Sequence, residues 1–198
     1  MAALLVATNN RHKAEEIRSL LQDLRVTIST LADFPQVGPI EEDAPTLEGN
    51  ALTKARVAFR ATGLPTVADD TGLEVGYLND APGVYSSRFA GPGASYADNC
   101  ALLLKRLRGV PPRRRMARFR SVIAFVRQDG SEQLVEGTVH GVILEAPRGD
   151  QGFGYDPVFL PDGYDRTFAE MSLAEKNQIS HRARALASLK PLLAATFR

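Results

Sequence analysis

TVADDTGLEV, at residues 66–75, decides how the rest of this sequence is interpreted. Its apolar run ends in two carboxylates, Asp69 and Asp70, and Thr71 and Gly72 follow directly. We expect a strand that stops at the paired acids and turns on Gly72, so that both carboxylates lie at one end of a sheet. Carboxylates in that place suit Mg²⁺, which proteins hold through one or two acids while substrate phosphates supply further oxygens. The alternative is a turn in which the aspartates bond to their own backbone.

The composition is that of an ordinary globular protein. The chain has 198 residues, 44% of them hydrophobic and 24% charged, which predicts one domain over residues 1–198. The net charge of +1 argues against a surface that binds nucleic acid throughout. The single cysteine, Cys100, excludes an internal disulfide, suits a reducing compartment and is expected to be buried. No apolar run approaches the roughly 18 residues of a membrane span, so we predict a cytoplasmic protein without a membrane partner.

A second candidate site lies where the first predicted strand meets the first predicted helix. Residues 2–7 are apolar, Thr8 to Asn10 break the run, and a helical pattern starts at Arg11. A helix that starts in a polar turn presents unpaired N–H groups, which attract anions. Lys13 in the first turn is unfavourable to the helix dipole unless an anion lies there. The alternative is a helix capped by Thr8 or Asn10, with Lys13 solvated.

An acidic loop and a basic run are the other strongly charged features. Glu41, Glu42 and Asp43 lie in a Pro-rich loop and, taken alone, are typical of a solvated surface. Residues 113–120, RRRMARFR, form the densest basic run. We interpret this run as the solvated edge of a strand in preference to an RNA-binding surface.

The remaining pattern predicts alternating helices and strands. Thr46 is expected to cap a helix over residues 47–62 that ends at Gly63 and leads into the strand at residue 66. Asp129-Gly130 predicts a hairpin between two long antiparallel strands. Together with the strand–helix–strand start, this hairpin implies a mixed sheet.

The last third of the chain carries aromatic and cationic side chains near predicted turns. Phe153 and Tyr155 flank Gly154, which predicts either a stacking platform or a turn whose rings enter the core. His181 and Arg182 open a closing helix, at the end where the dipole disfavours cations. Together with the other candidate groups, these features are what recognition of a nucleoside triphosphate requires.

Five separate blocks give the sequence a specific resemblance. They are TNNRHK at 8–13, ADDTGLEV at 68–75, APGVYSSRFAG at 81–91, GFGYDPVF at 152–159 and EKNQISHRARAL at 175–186. In this order and spacing they resemble the inosine triphosphatase family, also called XTP/dITP diphosphatases or non-canonical purine NTP pyrophosphatases. The resemblance implies an elongated mixed α/β fold, with a central mixed sheet flanked by helices and a nucleotide cleft between two lobes. It also implies a homodimer and Mg²⁺-dependent hydrolysis of an NTP to NMP and pyrophosphate.

The resemblance assigns a role to each matching residue. It implies that Asp70 is the catalytic carboxylate and a Mg²⁺ ligand, and that Glu41 or its neighbour Glu42 is a second metal ligand. Mg²⁺ beside Asp70 is expected to lower its pKa and keep it ionised. Residues implied to contact the triphosphate or line the same turn are Thr8, Asn9, Asn10, Arg11, His12, Lys13 and Thr71. Residues implied to form the base pocket are Phe153, Gly154, Tyr155, Asp156, Lys176, His181 and Arg182.

The sequence departs from the family pattern at two positions. Thr71 stands where many family members have Ser, and Gly49 stands where a second glutamate beside Glu48 is common. The absence of that glutamate puts a second metal site in doubt.

Two alternative functions are also open. One alternative is a broader NTP pyrophosphatase acting on modified pyrimidine or canonical dNTPs. The other is a non-catalytic nucleotide- or RNA-binding protein, although the intact carboxylates argue against it, because a binder would not need Asp70. We do not expect nucleic acid as a partner.

Overall fold

The fold is a mixed α/β arrangement, described here from a computed structural model for residues 3–197. Its strands are β1 (Ala3–Val6), β2 (Thr27–Thr30), β3 (Thr66–Val75), β4 (Pro82–Gly83), β5 (Met116–Val126), β6 (Glu132–Ile143) and β7 (Phe159–Pro161). Its helices are α1 (Arg11–Leu20), α2 (Leu47–Thr62), α3 (Tyr96–Arg106), α4 (Leu173–Ile179) and α5 (His181–Thr196). The strand order is β2-β1-β3-β5-β6-β7, with β4 paired to β3.

Both strand orientations occur in this sheet. β1 pairs in parallel with β2 and with β3, whereas β4 runs antiparallel to β3 and β7 antiparallel to β6. The predicted mixed α/β class is therefore confirmed. Within residues 3–197, no helix is both long enough and apolar enough to cross a bilayer.

The chain divides into two compact units. The first contains the residues up to Asp70, Ser121–Gly137 and the residues from Arg182 onward. The second contains Thr71–Arg120 and Thr138–His181. The long strands β3, β5 and β6 each contribute residues to both units.

The first unit has a core of aliphatic side chains. The helical segment that starts at Arg11 buries Ile17 and Leu21, and Leu20 and Leu24 pack against the same cluster. The cluster also contains Leu4, Val6, Val67, Ile123, Phe125, Leu186, Leu189 and Leu193. Strand β1, helix α1 and helix α5 therefore bury their apolar faces together.

The second unit has a more aromatic core. The ring of Phe119 lies 4.8 Å from that of Phe159, which in turn lies 5.4 Å from Phe168. Leu103 and Leu107 supply the buried face of the α3 segment. The prediction of a solvated strand edge at residues 113–120 is wrong, because β5 lies between β3 and β6 in the sheet, Arg115 is buried and Phe119 is part of this core.

Helix boundaries follow the predicted caps closely. The Thr46 side chain accepts a hydrogen bond from the backbone N–H of Gly49 at the start of α2. Gly63 ends that helix with φ 67°, the left-handed conformation that favours glycine. Ser95 and Asp98 form a reciprocal capping box at the start of α3. These local signals are sufficient because each cap depends on residues three or four apart.

The predicted break after Asp70 is wrong. β3 continues without interruption from Thr66 to Val75, so neither a turn nor aspartates capping their own backbone occurs there. Gly72 is required for a different reason, since a Cβ at this position would lie 2.6 Å from the carbonyl oxygen of Gly83 on β4. The glycine therefore allows close approach of two strands.

Cys100 behaves as predicted. It lies on α3, is buried, and its Sγ lies 3.3 Å from the carbonyl oxygen of Gly154. Burial raises the pKa of the thiol to about 11. The thiolate is therefore scarce at neutral pH, which fits a packing role and disfavours a nucleophilic one.

Candidate functional site

The first group of candidate residues lies at the start of α1. The Asn10 side chain accepts a hydrogen bond from the backbone N–H of Lys13 (3.2 Å), which makes Asn10 the N-cap. The Thr8 hydroxyl accepts from the backbone N–H of Asn10 (3.1 Å) and so stabilises the turn before the cap. Thr8, Asn9, Asn10 and Arg11 also line a cavity of about 360 Å³. The turn before α1 thus borders a concavity, and anion binding there stays a prediction.

Asp69 is the centre of a buried ionic cluster in the first unit. It is only 2% exposed, and its Oδ2 lies 2.8 Å from Lys13 Nζ and 3.0 Å from an Arg182 nitrogen. The Ser121 hydroxyl donates to its other oxygen at 2.5 Å. Burial alone raises the pKa of Asp69, but Arg182 and Lys13 outweigh burial and hold that pKa well below its ordinary value. Asp69 is therefore an anion that fixes Lys13.

Arg182 extends this cluster to α1. The guanidinium, which is 1% exposed, also pairs with Glu16, a buried acid on α1. Burial lowers the pKa of Arg182, but the two acids raise it by more, so it stays charged. The structure thus joins Arg182 to two carboxylates, whereas the sequence suggested a cation facing the base.

Asp70 lies in a second polar cluster, organised by Lys54 on α2. Lys54 Nζ donates to Asp70 Oδ1 at 2.9 Å, to Glu42 Oε2 at 2.7 Å and to the backbone oxygen of Asp69 at 3.0 Å. The Asn50 amide lies 3.3 Å from the other oxygen of Asp70. Both oxygens of Asp70 are thereby positioned by α2.

Burial decides the protonation behaviour of Asp70. It raises the pKa of Asp70, and the nearby cations Lys54 and Lys13 oppose this without reversing it. Burial also raises the pKa of Glu42, but there Lys54 prevails and the pKa is lowered. Without a metal, the chain therefore makes Asp70 a more basic carboxylate than an ordinary aspartate. The lowered pKa predicted from the sequence applies to Asp70 with Mg²⁺ bound.

The acids near Asp70 fit a magnesium ion by their chemistry. Residues 3–197 contain no group of three or more His, Cys, Asp or Glu side chains that could hold a metal. However, Glu42 and Asp70 already contact one cation, the ammonium of Lys54. Two hard oxygen ligands are what the protein usually supplies to Mg²⁺ when phosphates complete its coordination. Both Glu41 and Glu42 are exposed, but the contact with Lys54 favours Glu42 as the partner acid, and the role of Glu41 stays a prediction.

Packing explains why this chain has Gly49 at the position where a second glutamate is common in the family. A Cβ at this position would lie 2.6 Å from the Cβ of Ala44 and 3.2 Å from the hydroxyl oxygen of Thr46. The loop before α2 therefore packs where a longer side chain would stand. This chain has no space for the second glutamate at that position.

The second group of candidate residues lies in the second unit and centres on Asp156. Its Oδ2 accepts from Lys176 Nζ at 2.5 Å and from the backbone N–H of Phe153 at 2.9 Å. Lys176 Nζ also lies 4.9 Å from the centre of the Phe153 ring. Gly152 makes room for the acid, because a Cβ there would lie 2.1 Å from Asp156 Oδ2. A buried ion pair thus fixes the loop that carries Phe153.

The two loop aromatics have different environments. Tyr155 is buried and its hydroxyl donates to the backbone oxygen of Ser86 at 2.9 Å. Phe153 is half-buried, with the Tyr96 ring 5.8 Å away. Tyr155 therefore enters the core, as the second of the two predictions for this loop has it, whereas the Phe153 ring stays accessible for stacking.

The other predicted residues are placed as follows. His181 is buried and stacks on Phe119, with ring centres 4.7 Å apart and an interplanar angle of 17°. Thr71 follows Asp70 on β3 and is half-buried. Arg11 and His12 are exposed in the first turn of α1. The candidate residues therefore form two groups, one in each unit, with Thr71 outside both.

Lys54 and Asn50 belong to the site but are not among the residues predicted from the sequence. Both lie on the α2 stripe of Leu47, Ala51, Ala55 and Ala58, which is buried throughout. A lysine and an asparagine at positions where the helical period requires apolar residues are the signal that could have identified them.

These features define a mixed α/β protein in which a helix N-terminus and a strand with paired aspartates share a buried charge cluster. The sequence profile of the Ham1 family matches residues 4–192, and the chain belongs to this family. A dITP/XTP pyrophosphatase of Geobacter sulfurreducens is 49% identical over 96% of both chains. One from Mycolicibacterium paratuberculosis is 52% identical over 98% of this chain and 96% of its own.

Solved structures agree with this assignment. A HAM1 protein from Coxiella burnetii has a TM-score of 0.88 and 40% identity, covering 98% of this chain and 100% of its own. A nucleoside-triphosphatase or dITP/XTP pyrophosphatase from Mycobacterium abscessus has a TM-score of 0.77 and 45% identity, covering 96% and 99%. The resemblance drawn from the five sequence blocks is therefore confirmed.

Proposed function

We propose that this chain hydrolyses non-canonical purine nucleoside triphosphates, namely ITP, dITP and XTP, to the monophosphate and pyrophosphate. The observation that carries the proposal is the pair of lysines, Lys13 and Lys54, held by the paired aspartates of β3. The names of relatives with about half of their residues identical support the substrate class. We treat residues 1–198 as one functional domain, because the family match runs over nearly the whole chain.

The triphosphate is assigned to the N-terminus of α1. The backbone N–H groups there and the ammonium of Lys13 offset phosphate charge. Asp69 keeps Lys13 oriented, so little side-chain freedom is lost when the anion arrives. Lys54 supplies a second cation beside Asp70.

The hydrolytic step is assigned to Asp70. Its carboxylate accepts a proton from the attacking water as the water oxygen bonds to the α-phosphorus, and pyrophosphate leaves with the electrons of the broken anhydride bond. Lys13 and Lys54 stabilise the charge that develops on the leaving group. Asp70 and Glu42 are the residues that would hold Mg²⁺, which when bound neutralises phosphate charge and polarises water.

The base is assigned to the loop of Phe153 and to Lys176. Phe153 offers a ring for stacking, and Lys176 offers an ammonium donor to the 6-oxo group of hypoxanthine or xanthine. Adenine has an amino donor at this position, which would leave two donors facing each other. A buried mismatch of this kind supports discrimination on the order of 10⁴-fold.

The proposal extends to a homodimer in the cytoplasm. The homodimer comes from the family resemblance, and the cytoplasmic location is supported by a single, buried cysteine that suits a reducing compartment.

A pyrophosphate-release assay with ITP, dITP, XTP, GTP, ATP and a modified pyrimidine triphosphate tests the proposal. With Mg²⁺ present, we expect release from the first three and turnover of ATP lower by a factor on the order of 10⁴. Comparable turnover of a pyrimidine or canonical nucleotide would instead support the broader pyrophosphatase. Nucleotide or RNA binding without pyrophosphate release would support the non-catalytic binder.

Lys13→Ala is expected to act mainly on substrate affinity. Loss of one charge-assisted contact to the triphosphate should raise KM for ITP about tenfold with a smaller change in kcat. Steady-state kinetics measure both constants. The matched control is Arg25→Ala, which removes an exposed cation of the same unit and should leave KM unchanged. An unchanged KM in Lys13→Ala would mean that the phosphates bind elsewhere.

A further inference from the structure

A cavity of about 590 Å³ in the second unit lies outside both groups of candidate residues. It adjoins the C-terminal part of α3, and its walls include Ala101 and Leu104. Its charged lining consists of Lys105, Arg108, Arg115 and Glu145. Three cations and one acid give this lining a surplus of positive charge.

Arg115 is the buried member of this lining, at 3% exposure. Its guanidinium donates to three backbone oxygens: those of Ile143 (2.7 Å), Leu107 (2.8 Å) and Leu144 (2.6 Å). Across residues 3–197, no carboxylate forms an ion pair with it. A guanidinium carries five N–H groups, so three such bonds leave donor capacity.

The charge of Arg115 is therefore only partly compensated. Burial lowers the pKa of Arg115, and the more distant Glu145 opposes this effect without reversing it. Peptide dipoles stabilise a buried cation less than an anion with a full charge does. An anion entering the cavity would supply the missing compensation.

The C-terminal end of α3 repels such an anion less strongly than a helix end whose last carbonyls accept no hydrogen bond would. The C-terminus of a helix carries partial negative charge on its last carbonyls. Here the Arg115 guanidinium donates to one of these terminal carbonyls, that of Leu107. Lys105 and Arg108 add two exposed cations that, within the described part of the chain, form no ion pair.

We propose that this cavity is a second anion site, which binds a small phosphate anion such as pyrophosphate. A planar guanidinium held by three carbonyls can present its remaining donors to phosphate oxygens in a fixed geometry, and two flexible cations can close over the anion. The lining contains no aromatic ring on which a nucleobase could stack, which favours a small anion over single-stranded nucleic acid. The site is separate from Lys13, which lies in the first unit.

Titration calorimetry of the full chain with sodium pyrophosphate, without nucleotide, tests this site. The Lys13→Ala background weakens the proposed triphosphate turn, so that binding at the cavity is measured separately. We expect this background to retain one pyrophosphate per chain at about 0.15 M salt. Adding Lys105→Gln and Arg108→Gln should weaken that binding at least tenfold, because two charge-assisted contacts to the anion are lost. Glu145→Gln should strengthen it about threefold by removing the one acid.

A matched control separates the cavity from general attraction to a basic surface. Arg106→Gln with Arg113→Gln removes the same charge from the same stretch, but neither residue lines the cavity. We expect this pair to change pyrophosphate affinity less than twofold. Equal weakening by both pairs would overturn the proposal, and so would binding only at low salt, which means an adventitious ion only. The three variants should retain the ITP turnover of their Lys13→Ala parent, since none touches Asp70 or Lys54.

Discussion

Asp70→Asn is expected to lower kcat for ITP hydrolysis by about 10³-fold while the protein stays folded. Loss of a general base costs roughly 10²–10⁴-fold in rate, and loss of one of two magnesium ligands adds to this. The amide keeps the shape of the carboxylate, and its single oxygen can still accept from Lys54, while the hydrogen bond from the Asn50 amide is lost. Pyrophosphate release under saturating ITP and Mg²⁺ measures the effect.

The stability of the same variant makes the result interpretable. Burial raises the pKa of Asp70, which means that the fold disfavours its charged form. A neutral amide removes this penalty but leaves the buried Lys54 with Glu42 as its one acid, so we expect thermal unfolding within a few degrees of the wild-type temperature. Asp43→Asn, an exposed acid of the loop that carries Glu42, is the control and should retain full activity. Retention of more than a tenth of wild-type kcat by Asp70→Asn would remove Asp70 from the catalytic role.

Local sequence signals predicted the helices well and the interruption of β3 wrongly. The caps at Thr46 and Gly63 depend on neighbours within four residues, and the structure has both. Gly72 follows two aspartates and so resembled a turn, but its role depends on β4, a partner strand that local pattern does not specify. A glycine needed for close approach cannot be told from a glycine needed for a turn by local pattern alone.

The candidate site was predictable in its residue types and not in its pairings. The position of Arg182 at a helix start, where the dipole disfavours cations, marked it as unusual, but the sequence suggested a nucleobase as its partner. In the structure its partners are Asp69, 113 residues away in the chain, and Glu16. The sequence pattern therefore identified unusual cations, whereas the choice of partner depended on the fold.

The two neighbouring aspartates therefore have different roles: Asp69 stabilises the fold, and Asp70 is the proposed base. Asp69 has a lowered pKa because Lys13 and Arg182 overcome its burial, whereas Asp70 has a raised pKa because burial prevails. An acid that is strongly stabilised as an anion is a poor proton acceptor and a good structural partner. This contrast supports Asp70 over Asp69 as the base.

Asp69→Asn is accordingly expected to destabilise the fold by about 3–5 kcal/mol, because it breaks a buried ion pair and leaves Arg182 with Glu16 alone. For a chain of this size that corresponds to a fall in Tm of about 10 °C. Thermal unfolding followed by circular dichroism at pH 7 measures it. Ser121→Ala is the graded control, since it removes one hydrogen bond to the same carboxylate and should cost only about 1 kcal/mol.

The pH dependence of the stability difference between wild type and Asp69→Asn tests whether Asp69 is a stabilised anion. A carboxyl whose pKa is lowered on folding stabilises the protein at every pH above its unfolded pKa, which is about 3.9 for aspartate. That contribution is lost as the pH falls below this value towards the folded pKa. The gap in stability between wild type and Asp69→Asn should therefore be constant from pH 7 to about 5 and shrink progressively below about 4. A gap that stays constant down to the lowest pH at which both proteins fold, or that widens there, would show that Asp69 does not act as a stabilised anion.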